Sequence, residues 1–122
     1  MENKSLVTQP KDEMVIYQTE DGTIKIDVLF DNDTVWLNVS QMAQLFNKEE
    51  SGIRKHIINI FSEGELNKES NVNFLHVPFS DKPVPFYSLD VIISVGYRVH
   101  SHQGTQFRIW ATQRVKSTKN IK

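Results

Sequence analysis

The chain opens on a hydrophobic period of two. Residues 14–19 (MVIYQT) and 23–30 (TIKIDVLF) are rich in β-branched side chains, and Glu20-Asp21-Gly22 separates them with an Asp-Gly pair typical of hairpins. In the second run Ile24, Ile26 and Val28 face one side of a strand while Lys25 and Asp27 face the other. Asp31-Asn32-Asp33 then turns the chain into residues 34–37 (TVWL), which predicts a three-stranded antiparallel meander. At Asn38 the period lengthens. Val39, Met42, Ala43 and Phe46 follow at the spacing of one helix face. Asn38 with Gln41 has the form of a capping box, and Asn47 accepts the left-handed conformation that ends a helix. A second helix is predicted over residues 49–61, with Ile53, Ile57, Ile60 and Phe61 as its apolar stripe and Ser51, Arg54, Lys55 and Asn59 pointing away.

Beyond residue 62 the chain is rich in turn residues until two extended pieces, 73–78 and 84–87, bracket Phe79-Ser80-Asp81-Lys82-Pro83. This predicts a wing-like hairpin with Lys82 near its tip, confined by Pro78, Pro83 and Pro85 to an edge position. Ser88 caps the next helix and Asp90 suits the positive end of its dipole. Val91, Ile92, Ile93, Val95, Tyr97 and Val99 are spread over all its faces, so the helix is expected at the buried centre, with Gly96 permitting a close helix contact. The last helix, over residues 103–116, sets Phe107, Trp110 and Ala111 on one side and Arg108, Thr112 and Gln113 away from it. Core packing accounts for those aromatics without a ligand. The expected fold is α+β: a small antiparallel sheet, made of the meander and the hairpin, packed with about four helices. Residues 1–13 read as a disordered leader, 14–116 as a single domain and 117–122 as a basic tail or truncated linker.

Two short helices across a tight turn, with the small Ala43 where they cross, also have the pattern of a helix-turn-helix. Any small α+β domain packs two helices in this way, and the turn has no glycine. His56 falls where an apolar residue is expected. Glu49 and Glu50, which open the second helix, suit its dipole but repel phosphate. If this helix enters a major groove, Ser51, Arg54, Lys55 and Asn59 are its readers.

Charge changes the picture more than composition does. The 122 residues carry a net charge of −1, yet residues 1–47 hold eight acids and three bases, whereas residues 91–122 hold six bases and no acid. The basic end attracts phosphate or an acidic protein surface. Arg98, at the end of its helix, has three uses: capping carbonyls, pairing with an acid, or reaching phosphate. The chain has no cysteine, which excludes disulfides, thiolate zinc sites and thiol catalysis and suits a reducing cytoplasm. No apolar run approaches the ~18 residues of a membrane span. Catalytic patterns are wanting too. His100 and His102 have no third metal ligand marked by spacing, His56 and His76 are isolated, and the five glycines are too scattered for a phosphate loop. A non-catalytic protein without metal or cofactor is expected.

Several blocks bring a family to mind: Thr34-Val35-Trp36-Leu37, QMAQLF at 41–46, HIINIF at 56–61 with EGEL at 63–66, and above all LDVIISVGYRV at 89–99 followed by GTQFRIWAT at 104–112. From about Val15 to Gln113 the chain resembles the amino-terminal domain of the RhuM virulence-protein family. It is distantly similar, through Phe107 and Trp110, to the amino-terminal domains of BRO- and KilA-type phage antirepressors, which are associated with DNA binding. Asn47 in place of the turn glycine, and Glu49-Glu50, depart from the pattern and weaken base reading by the second helix. The resemblance implies a prophage-like or genomic-island bacterial protein, and it carries over no particular biochemical activity.

The function expected is that of a regulatory domain binding double-stranded DNA, as a homodimer or within a larger chain. Arg54, Lys55, Lys82, Arg98, Arg108, Arg114 and Lys116 would meet phosphates, and Ser51 and Asn59 would approach bases. The alternative is an antirepressor-like module that occupies a repressor or another protein through the acidic amino-terminal sheet, around Glu20, Asp21, Asp31 and Asp33.

Overall fold

A computed structural model describes residues 13–30 and 34–120, with side chains described through Arg114. The first hairpin closes as its sequence predicts. The Asp21 carboxylate accepts hydrogen bonds from Thr19 Oγ1 (2.8 Å), Thr23 N–H (3.0 Å) and Thr23 Oγ1 (2.8 Å), and Gly22 takes the positive φ of 77° that the turn needs. Strands β1 (Glu13–Gln18) and β2 (Lys25–Phe30) pair antiparallel with Met14 opposite Leu29 and Tyr17 opposite Ile26. The expected turn at residues 31–33 lies outside the described residues. β3 (Val35–Leu37) follows, pairing with β2.

Helix α1 (Val39–Phe46) starts on the capping box read from the sequence: Gln41 N–H donates to Asn38 Oδ1, and Asn38 N–H to Gln41 Oε1, each at 2.8 Å. Asn47 ends it at φ 56°, with Lys48 N–H reaching back to the Ala43 carbonyl at 3.0 Å. α2 (Glu50–Ser62) buries Ile53, Ile57 and Ile60 and closes through Gly64, at φ 78°, with Glu65 N–H on the Ile60 carbonyl. The hairpin of β4 (Val72–Leu75) and β5 (Val84–Ser88) comes next, then α3 (Leu89–Arg98) and α4 (His102–Asn120).

All five strands form one antiparallel sheet in the order β1-β2-β3-β5-β4. The hairpin thus joins the meander in one sheet, as expected, but of its two strands β4 alone takes the edge position the prolines suggested; β5 lies inside, against β3. Pro85 is tolerated there for a positional reason. Leu37, the last residue of β3, pairs with Tyr87, so the missing N–H of Pro85 falls beyond the end of β3.

The helices cover one face of the sheet. Tyr17, Ile26, Val28, Phe30, Val35 and Leu37 meet α1, α2, α3 and α4 there in the main core. On the reverse face Leu29, Trp36 and Phe86 form a smaller buried cluster, with Leu75, Val77 and Val84 packed against it. Burying each such side chain contributes about 1.5–3 kcal/mol. The helices divide the covered face between them: Phe61 of α2 stacks near Tyr87 of β5, while Phe107 and Trp110 of α4 lie on Tyr17 of β1.

α3 is less enclosed than its apolar sequence predicts. Val91, Ile92, Val95 and Gly96 are buried, but Tyr97 is 73% exposed, because the helix has neighbours on two flanks and open solvent beside its last turn. Gly96 does provide the close contact. A methyl there would lie 3.4 Å from both the Gly104 Cα and the Phe46 ring, so α3, α4 and α1 meet at two facing glycines. α4 begins one residue earlier than the sequence predicts, where Gln103 N–H donates to Ser101 Oγ at 3.1 Å, and it runs four residues further, through a stretch with neither proline nor glycine.

Candidate nucleic-acid interface

Of the cationic and polar residues picked out by sequence, the structure sets most in two groups and pairs two arginines, Arg54 and Arg98, with glutamates. The first group belongs to the α2 flank. Ser51, Arg54 and Lys55 are exposed on α2 and Asn59 is half-buried. Arg54 Nη2 donates to Glu50 Oε1 at 3.1 Å one turn earlier, so one of the two opening acids engages the arginine meant for phosphate. Ile58, on the same outward surface, is 64% exposed and apolar. Lys82 is exposed in the β4–β5 loop, which also holds Phe79, fully exposed and at φ 66°.

The second group belongs to α4. Arg108 and Arg114 are exposed, and the helix carries no acidic residue anywhere along its length. The Arg114 guanidinium stands 5.8 Å from the centroid of Trp110, a cation–π distance that aligns the side chain along the helix. Lys116 lies in the same helix by its backbone, but its side chain is outside the described part. Because α2 sits over β5 and α4 over β1, the two groups occupy opposite flanks of the helical layer.

Arg98 faces neither flank freely. Its Nη2 donates to Glu63 Oε1 at 2.9 Å and to Glu65 Oε1 at 2.8 Å, while Ser94 Oγ donates to Glu65 Oε2 at 2.8 Å. The Arg98 bond, with that of Ser94 second, holds the Glu65 carboxyl below its ordinary value, and the same two carboxylates push the guanidinium pKa further up. Of the three uses open to this arginine, the structure realises the acid pair. Sequence reading overlooked Glu63 and Glu65 as its partners; the only trace was two acids at the turn closing α2.

Sequence reading also overlooked a cleft where α3 turns into α4. His100 sits at φ 54°, and Ser101 N–H returns to the Gly96 carbonyl at 3.1 Å, closing α3 in the manner usually given to glycine. The turn and the start of α4 enclose a cleft of about 160 Å³ lined by Ile93, Gly96, Tyr97, His100, Ser101, His102, Gly104, Thr105 and Arg108. Two imidazoles, a guanidinium, a phenol and two hydroxyls face it without a carboxylate. Such a set offers hydrogen-bond donors to an anion, and the amino-terminal end of α4 adds positive potential. His100 and His102 thus share a cleft, but among the described residues no three His, Asp or Glu side chains gather as a metal would require.

Of the acids at the amino-terminal sheet, Glu13, Glu20, Asp21 and Asp27 are exposed. Asp21 is committed to its turn, where bonds from Thr23 N–H, then Thr19 and Thr23 hydroxyls, lower its pKa. Asp31 and Asp33 lie outside the described residues. The outer face of β1 and β2 presents exposed Met14 and Ile16, with Asp27 directly opposite Ile16. Among the described residues no helix is long and apolar enough to cross a membrane.

No curated protein and no solved structure matches the chain. Residues 75–120, from the last residue of β4 through α4, match the family described as Virulence protein RhuM, so the resemblance read from the sequence holds over the strand and the two helices that build the cleft.

Proposed function

We propose that this is a non-catalytic DNA-binding domain of regulatory character, and that its phosphate-contacting surface is α4 with the α3–α4 cleft rather than α2. One observation carries the reading: along α4 Arg108 and Arg114 are exposed with no carboxylate on the helix, while Arg54 and Arg98 are already bonded to glutamates. A surface of unopposed arginines with serine, threonine and glutamine hydroxyls and amides is what sequence-independent contact with a duplex backbone requires. Glu49 and Glu50 keep the opening of α2 unfavourable to phosphate.

The test is a titration with mixed-sequence duplex DNA at two salt concentrations. Wild type is compared with Arg108→Glu/Arg114→Glu and with Arg54→Glu/Lys55→Glu, each checked for folding. Each phosphate contact contributes about 0.9 to the logarithmic salt slope, so removing two lowers it by roughly 1.8. The α4 variant is expected to lose binding for all sequences alike and the α2 variant to keep most of it. Absence of salt-sensitive binding by the wild type at low ionic strength would sink the proposal.

A second reading, a module that docks on a repressor or another protein, is favoured by exposed Met14 and Ile16 beside Asp27 on the outer sheet face. Paired apolar side chains on the open face of a strand are a protein-contact feature. Under this reading Ile16→Lys abolishes partner capture and Arg108→Glu leaves it intact.

A further inference from the structure

β4 ends the sheet, and among the described residues no strand pairs with its outer edge. The phase of that edge follows from Pro85. Since Pro85 has no N–H, its pair with Phe74 is of the non-bonded kind, and the bonded pairs are the neighbours Asn73–Phe86 and Leu75–Val84. The 3.1 Å bond from Ser88 N–H to the Asn71 carbonyl has the same phase. Val72 and Phe74 therefore direct their backbone groups outward. The Val72 N–H is taken by the Lys68 carbonyl at 3.1 Å, which leaves the N–H and C=O of Phe74 facing out together.

The side chains this edge turns toward the helical layer, Val72 and Phe74, are apolar. Phe74 is 66% exposed, and Ile58 faces it from α2 across a groove of about 720 Å³ floored by Ile57, Phe61 and Tyr87. The rim is electrically balanced, with Lys68 beside Glu69 at one end and Arg54 bonded to Glu50 near the other. Such a rim does not attract a polyanion or select a charged peptide; it complements an uncharged extended segment. β4 is itself such a segment. Val72-Asn73-Phe74-Leu75 carries no charge, no proline and none of the lysines that usually guard a free edge.

We propose that β4 is a dimerisation strand: a second copy of the chain adds its own β4, antiparallel, about a two-fold axis through Phe74. In that register each Phe74 N–H donates to the Phe74 carbonyl of the other copy, using the outward N–H and C=O of that residue. The axis opposes residues of the same face, so the helical layers of both copies stay on one side. The two Phe74 rings lie side by side across the seam and close over the grooves that expose Ile58. The proposal is independent of whether DNA is bound.

Sedimentation velocity across a concentration series tests it, on the full chain and on Phe74→Lys, Phe74→Pro and Ile58→Glu. Both positions are exposed, and circular dichroism verifies that the monomers fold alike. The wild type is expected to dimerise. Phe74→Lys raises the dissociation constant by at least about 100-fold, because symmetry removes two buried rings at once. Phe74→Pro, which deletes an outward N–H but no β4–β5 bond, weakens the dimer as well. A wild type that remains monomeric to its solubility limit overturns the proposal and reassigns the edge to a strand of another protein. A dimer indifferent to Phe74→Lys and Ile58→Glu overturns it equally, by placing the contact elsewhere.

Discussion

Phe107→Ala is the perturbation on which the placement of α4 depends. The side chain is fully buried, and its ring meets Tyr17 edge-on, with centroids 5.1 Å apart at 86°, and Trp110 at 5.6 Å. Truncating a buried phenylalanine costs about 3–5 kcal/mol through lost transfer energy and the cavity left behind. Two aromatic contacts of about 0.5–1.5 kcal/mol each place this site in the upper part of that range. Domains have about 5–15 kcal/mol of stability in all, so roughly a quarter or more of it disappears. The melting temperature should fall by on the order of 10–25 °C. Urea unfolding followed by far-ultraviolet circular dichroism and tryptophan fluorescence measures the loss directly. Ile109→Ala is the internal control. That residue is two positions further along and 45% exposed, so its truncation should cost no more than about 1 kcal/mol. Comparable losses in the two variants, or less than about 1.5 kcal/mol for Phe107→Ala, would refute the helix register and with it the outward aim of Arg108.

Alanine at Gly96 or Gly104 alone sets its methyl 3.4 Å from the opposing glycine, so each single variant should unfold within about 1 kcal/mol of wild type, aided by helix propensity. The double variant needs both methyls in one gap, and equilibrium unfolding should show at least about 1 kcal/mol beyond the sum of the singles. His100→Gly relieves a left-handed residue and should stabilise the fold by about 0.5–1 kcal/mol, read from the urea midpoint. Glu65 has a folded pKa below its ordinary 4.5, so its stabilising effect is present above that value and is lost as pH falls through the lowered one. The stability gap between wild type and Glu65→Gln should accordingly be widest near neutrality and close in acid; a gap that is constant from neutral pH down to strong acid would contradict the pairing with Arg98. Asn38→Ala removes one half of the α1 capping box and should cost about 1 kcal/mol in thermal unfolding.

What the sequence made legible was local. The Asp-Gly hairpin, the Asn38–Gln41 capping box, the left-handed Asn47 and the isoleucine stripe of α2 are each written within a few neighbouring residues, and each appears as read. Sheet order is not local. Nothing in residues 84–88 announces pairing with 35–37, and the three prolines argued for an edge because a proline's missing donor matters only relative to a neighbour not yet placed. The site shows the same division. Exposure of Arg108 followed from helix period, whereas the partners of Arg98 lie 33 and 35 residues away and could not be paired by spacing. The α3–α4 cleft depends on two glycines meeting across a turn, which periodicity does not encode.

Ser88 is the last residue of β5, the cap whose oxygen accepts the Val91 N–H of α3, and a hydroxyl donor to Asn71 in the approach to β4. In mechanical terms this makes β5 and α3 a single strut, since strand passes into helix with no slack residue to act as a hinge. One end of the strut stands beside the open edge strand, and the other carries Tyr97 and the wall of the α3–α4 cleft. A load applied at either end must be borne at the other, or be absorbed by shear against β3.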